Sequence, residues 1–186
     1  MGQLVQRQGS NWDAALAAAA VAAAPQQYLT FTLGGEMFAV AILNVKEIIE
    51  FGSLTEIPMT PPFIRGVINL RGAVVPVIDL ACRFGGRAAE VARRTCIVIV
   101  ELEEDEQKHD IGVMVDAVSE VLEIARADIE PPPTFGARIR ADFISGMGKI
   151  NGKFVIILNV AKALSASEIA LLTTMGDPDA PNEGEP

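Results

Sequence analysis

The side chains that could do chemistry here are few. The chain holds one histidine, His109, and two cysteines, Cys82 and Cys96. His109 sits in the acidic stretch "ELEEDEQKHD", which reads as a solvated hairpin loop between two apolar runs. The cysteine spacing fits no metal-binding pattern, and two buried, reduced thiols are the expectation. No Ser-His-Asp set, no paired histidine ligands and no phosphate-cradling glycine loop accompany them. Asp79 and Asp116 fall at the ends of apolar runs, where capping and turn roles are the ordinary ones. The sequence therefore predicts no catalytic residue, no metal and no cofactor. What is left is recognition, and one arginine is the focus for it.

Arg71 lies in "FIRGVINLRG", residues 63–72, and the chain says nearly the same thing again in "FISGMGKING", residues 143–152. From Phe63 to Ala81 and from Phe143 to Ala161 the two stretches align without a gap at an offset of 80, with six of 19 pairs identical. An upstream block repeats at an offset of 73, pairing Val45 with Val118 and Glu47 with Glu120. This is an internal duplication. The seven extra residues of the second copy are expected in the loop around "PPPTFGARIRAD". Positions common to both copies serve the fold: Gly66 and Gly146 allow close approach, and Gly72 and Gly152 close a two-residue turn. Where the second copy has Asn-Gly, the preferred pair for a tight hairpin, the first has Arg-Gly. Arg71 is the poorer turn residue. It reads as a solvated arginine in a different turn type, as a guanidinium presented to an acidic or backbone partner, or as the partner of Glu47 in an ion pair.

The elements that must position it read as β-structure. "YLTFTL", "GG" and "EMFAVAI" form a hairpin signal, and "RGAVVPVIDL", "GKFVIIL", "TCIVIVELE" and "DIGVMVDAV" are short runs rich in β-branched residues. Pro76 inside its run implies an edge strand or a bulge. The duplication predicts an all-β chain of two small antiparallel barrels in tandem, residues 26–90 and 91–164. They are preceded by a flexible, partly helical, Ala-rich tail over 1–25 and followed by a short C-terminal helix over 165–176 and a disordered tail over 177–186. Formal net charge is −9, with 15 basic against 24 acidic residues, which argues against a phosphate-backbone partner. No stretch is long and apolar enough for a membrane-spanning helix, and the alanine run from Ala14 to Ala24 makes a poor secretory signal.

With these motifs laid out, "YLTFTLGGEMFAVAILNVKEII", "IPMTPPFIRGVINLRGAVVPVIDL", "IGVMVDAVSEVLEI" and "FISGMGKINGKFVIILNVAKAL" together resemble the CheW family of chemotaxis coupling proteins from about Gln26 to Met175. The resemblance implies two SH3-like five-stranded barrels and no catalytic activity. It implies a cytoplasmic adaptor, recruited to membrane-associated receptor arrays, that joins the cytoplasmic tips of chemoreceptors to the regulatory domain of a CheA-type histidine kinase. That kinase domain is itself built like the coupling protein, so mixed rings with other coupling proteins are expected as well. The family's "NLRG" matches Asn69, Leu70, Arg71 and Gly72, and its "VxE" matches Val45, Lys46 and Glu47. By resemblance Val45, Glu47, Gly66, Asn69 and Arg71 belong to the receptor and kinase contact region, with Val45 and Ile68 lining its groove. A CheW-like scaffold for a different, non-chemotaxis kinase pathway is the alternative. Residues 1–25 and the acidic tail lie outside the family pattern.

Overall fold

The computed structural model describes residues 9–104, 106–134 and 139–164. A helix, α1 (Gly9–Ala23), precedes eleven strands: β1 (Gln26–Leu33), β2 (Glu36–Ala41), β3 (Val45–Glu50), β4 (Ile64–Leu70), β5 (Ala73–Asp79), β6 (Cys96–Glu104), β7 (Gln107–Val115), β8 (Ala117–Ile124), β9 (Ile129–Glu130), β10 (Ile144–Ile150) and β11 (Lys153–Leu158). One-turn helices α2 (Leu80–Arg83) and α3 (Val160–Ala163) follow β5 and β11. The strands form two sheets, ordered β8-β1-β2-β11-β10-β9 and β3-β6-β7-β5-β4. The mostly-β class and the two-sheet arrangement are as expected. The first sheet carries one strand more than five, the two-residue β9. The expected helix over 165–176 and the tail over 177–186 lie outside the described residues.

The tandem division at residues 90 and 91 does not describe these sheets. The chain lays down β1 and β2 in the first sheet and crosses to the second through a 3-10 turn at Ile42–Asn44. It stays there until β7 ends at Val115, then returns at Asp116. One barrel is thus continuous over residues 45–115, while the other is assembled from 26–41 and 117–158. Each copy of the repeat gives its first hairpin to the barrel of the other copy.

The reason lies in the two faces of those hairpins. On β6, Ile97 and Ile99 face the interior of their own barrel with Val75, Val77 and Met114. Val98, Val100 and Leu102 point the other way, against Leu29, Phe31, Leu33, Phe38 and Val40 of β1 and β2. Strands apolar on both sides must be covered on both sides, and the exchange does this by stacking hairpin on hairpin. Each such side chain fully buried is worth roughly 1.5–3 kcal/mol, so this shared core, the largest of three clusters, dominates the packing. The seam is tight: the void between the barrels is about 10 Å³ and lined only by apolar side chains.

The repeat's shared residues meet here. Phe63 and Phe143 flank the Arg83 guanidinium at 4.7 and 5.3 Å from their ring centroids. Their carbonyls accept from Asp79 N (2.7 Å) and Asn159 N (2.8 Å) in the same manner. Asp79 caps α2 by accepting from Cys82 N, and Asn159 caps α3 by accepting from Lys162 N. Asp116 accepts from Gly34 N at 2.7 Å, so both strand-end carboxylates have the local roles expected.

Two local expectations change. β5 is an interior strand, between β7 and β4, although it contains Pro76. The parallel pairing with β7 begins only at Val77, so the missing N–H of Pro76 breaks no ladder bond on that side. His109 is in β7, paired with Leu102, because the strands of the acidic hairpin run out to Glu104 and Gln107 instead of dissolving into a loop. Cys82 and Cys96 are partly buried free thiols. Desolvation, with the nearby Asp79 charge, raises the Cys82 pKa.

Candidate functional site: the seam of the continuous barrel

The sheet of the 45–115 barrel has two edges, β3 and β4. Curvature brings them toward each other: Ile49 of β3 and Ile68 and Leu70 of β4 all pack on the same interior cluster. The β4–β5 hairpin then carries Arg71 across the gap. Its Nη2 donates to Oε2 of Glu47 on β3 at 3.1 Å. Glu47 reaches this place by a bulge between Val45 and Glu47, which also swings Lys46 to Asp110 at 2.7 Å.

The turn beneath Arg71 is the same type as in the second copy, not a different one. Arg71 and Gly72 have φ of +53° and +87°, against +50° and +77° for Asn151 and Gly152. Asn69 Oδ1 accepts from Gly72 N at 2.9 Å and braces the turn. Arginine in the left-handed region costs roughly 1–2 kcal/mol, which asparagine largely avoids. The ion pair offsets little of it: the Arg71 side chain is 76 % exposed, and such pairs contribute about 0–1 kcal/mol. The carboxylate is itself half used. Glu47 Oε1 is buried and accepts no hydrogen bond from the described residues, although a donor is normally found for such an atom.

The other residues expected here divide. Val45 is half-buried, against the shared core at the β3 end of the seam. Ile68 points into the barrel, so it supports the seam from within instead of lining an open groove. Gly66 is buried under it with φ of +142°. A Cβ there would collide with the carbonyl oxygen of Thr55, which forms a two-bond bridge with Val67. Gly146 answers it in the second copy, where β9 lies against β10. The structure thus unites Glu47 and Arg71 at the surface and gives Gly66, Ile68 and Asn69 to the framework that holds them. Ile48, next to Glu47 on the edge strand β3 and 44 % exposed, was missed by motif reading. Its alternation with Glu47 and Ile49 in a two-faced strand was the available signal.

Residues 27–168 match the family model of the CheW-like domain. The chain belongs to the CheW family. It is similar to the chemotaxis protein CheW of Klebsiella aerogenes, 35% identical over 147 residues that cover 79% of this chain and 86% of that one. It is also similar to the protein FrzA of Myxococcus xanthus, 33% identical over 153 residues, covering 81% and 92%. Among solved structures, the scaffolding protein TtCheW from Thermoanaerobacter tengcongensis matches with a TM-score of 0.66 at 40% identity, over 73% of this chain and 89% of that one. As a CheW-family member the chain is a non-enzymatic chemotaxis scaffold. Among the described residues no group of His, Cys, Asp and Glu side chains gathers to hold a metal, and no helix is long and apolar enough to cross a membrane.

Proposed function

We propose that this CheW-family chain couples the cytoplasmic tips of chemoreceptors to the regulatory domain of a CheA-type histidine kinase. The barrel seam of Val45, Glu47 and Arg71 is its contact surface, and other coupling proteins are its neighbours in the ring. The work is done at receptor arrays on the cytoplasmic side of the membrane. The observation that carries this reading is a turn built at a cost. An arginine stands where its own sequence repeat has the better turn residue, its exposed ion pair is too weak to account for it, and one buried carboxylate oxygen of Glu47 has no donor among the described residues. A partner that covers the seam desolvates the pair and supplies the donor, which converts a weak surface contact into a strong one. Such an adaptor needs no chemistry of its own, because holding receptor and kinase together raises the effective concentration of each for the other.

The test is isothermal titration of the purified protein with the regulatory domain of the kinase from the same organism, repeated with Arg71→Glu. Wild-type binding in the low micromolar range corresponds to about −8 kcal/mol. Arg71→Glu should weaken it while leaving the melting temperature nearly unchanged. Failure of the well-folded wild type to bind would favour the alternative of a scaffold for another kinase pathway.

A further inference from the structure

α1 lies outside the family-matched residues, and none of its described side chains is buried. All its described side chains, residues 12–21, are exposed, Trp12 at 72 % and Leu16 at 61 %. Trp12, Leu16, Ala19 and Ala20 share one face at helical spacing, and Asp13 is the helix's only charged residue. A surface helix normally carries charge on the side away from its apolar stripe, and one this apolar is normally covered.

A groove of about 490 Å³ opens where the helix ends. Gln26 and Tyr28 of β1 form one wall, and α1 is joined to Gln26 by Ala24 and Pro25 alone. Ala41, Leu102 and Ile157 contribute apolar surface, Leu43 stands at the rim 92 % exposed, and Asn44 and Glu103 supply hydrogen-bond acceptors. Most of the groove's exposed lining is polar, and an indole meets both kinds of group: it has an apolar ring and a single N–H donor for such acceptors.

We propose that this groove is the docking site of the chain's own α1, with Trp12 and Leu16 as the anchors and Leu43 as the exposed apolar contact that receives them. A tether this short gives an effective concentration of roughly millimolar, so even a contact with a dissociation constant of about 100 μM is occupied about ten to one. The groove is then closed to other ligands until α1 is displaced.

Trp12 is the only tryptophan in the chain, so indole emission reports on α1 alone. In the full-length protein the emission should be blue-shifted from that of hydrated indole and independent of protein concentration. Leu43→Glu and Leu16→Glu, both at exposed positions, should each return it to the hydrated value and raise acrylamide quenching at least about twofold, as loss of a mostly occupied contact requires. Their melting temperatures should match the wild type. Hydrated emission in the wild type overturns the proposal. So does a shift that grows with concentration, which would make a second copy the partner, and so does a shift that survives Leu43→Glu.

Discussion

Exchanging the two turn residues separates the cost of Arg71 from its use. Arg71→Asn gives the first hairpin the turn of the second. It removes roughly 1–2 kcal/mol of left-handed strain and gives up an exposed ion pair worth about 0–1 kcal/mol. The variant should therefore be as stable as the wild type or more stable by up to about 2 kcal/mol. For a chain of this size that is a melting temperature unchanged or raised by up to about 8 °C. Asn151→Arg imposes the strain where no task requires it and should lower the melting temperature by about 2–8 °C. Binding should respond in the opposite sense: Arg71→Asn weakens the complex with the kinase regulatory domain or receptor tip, and Asn151→Arg leaves it intact. Thermal unfolding followed by circular dichroism, paired with titration, reads both quantities on the same samples. If Arg71→Asn lowers the melting temperature as much as Asn151→Arg does, the ion pair outweighs the strain, and the case for Arg71 as a residue kept for a partner collapses.

Three other expectations follow from single side chains. Gly66→Ala places a methyl against the Thr55 carbonyl at a φ that alanine rarely adopts, and should cost about 2–4 kcal/mol in a denaturant titration; a loss under about 1 kcal/mol would mean the Thr55–Val67 bridge moves aside freely. Asp79 is fully buried and its two oxygens accept from Cys82 N and Ala89 N, so Asp79→Asn, which turns one acceptor into a donor, should cost about 1–3 kcal/mol and hasten proteolysis between Phe84 and Arg94. With its pKa raised by desolvation and by the Asp79 charge, Cys82 should alkylate with iodoacetamide more slowly at mildly alkaline pH than an unperturbed thiol. Labelling as fast as a free cysteine would contradict that environment.

The duplication was legible because the close-packed strand glycines and strand-opening phenylalanines cannot drift: Gly66 is held by the Thr55 carbonyl, and Phe63 by the guanidinium of Arg83. The exchange of hairpins was not legible. A two-residue period says that a strand has two faces and leaves open which neighbour covers each. The near-continuous runs "CIVIV" and "IGVMV" carried the warning, since a strand with one solvated face would alternate with polar residues. Ile68 was misplaced for the same reason, because its half-buried position depends on how far the sheet curls, which no local pattern encodes. The Glu47–Arg71 pair was legible as one of three possibilities. It could not be singled out, because a contact between residues 24 apart in sequence is decided by the closing of the barrel. The extra length of the second copy falls where expected, between β9 and β10 and around β9 itself, where the first copy makes do with the single bridge of Thr55.

The two crossings of the chain, at Ile42–Asn44 and at Asp116, make the molecule a lashing instead of a pair of beads on a string. A tandem array can bend at its linker. Here each barrel holds a hairpin belonging to the other's repeat, and the faces of those hairpins are the packed seam, so a swing of one barrel against the other would have to tear strand ladders and open a core at once. Whatever grips one end displaces the other by the same amount. Such a body does not store or gate a movement: it hands it on as a strut does.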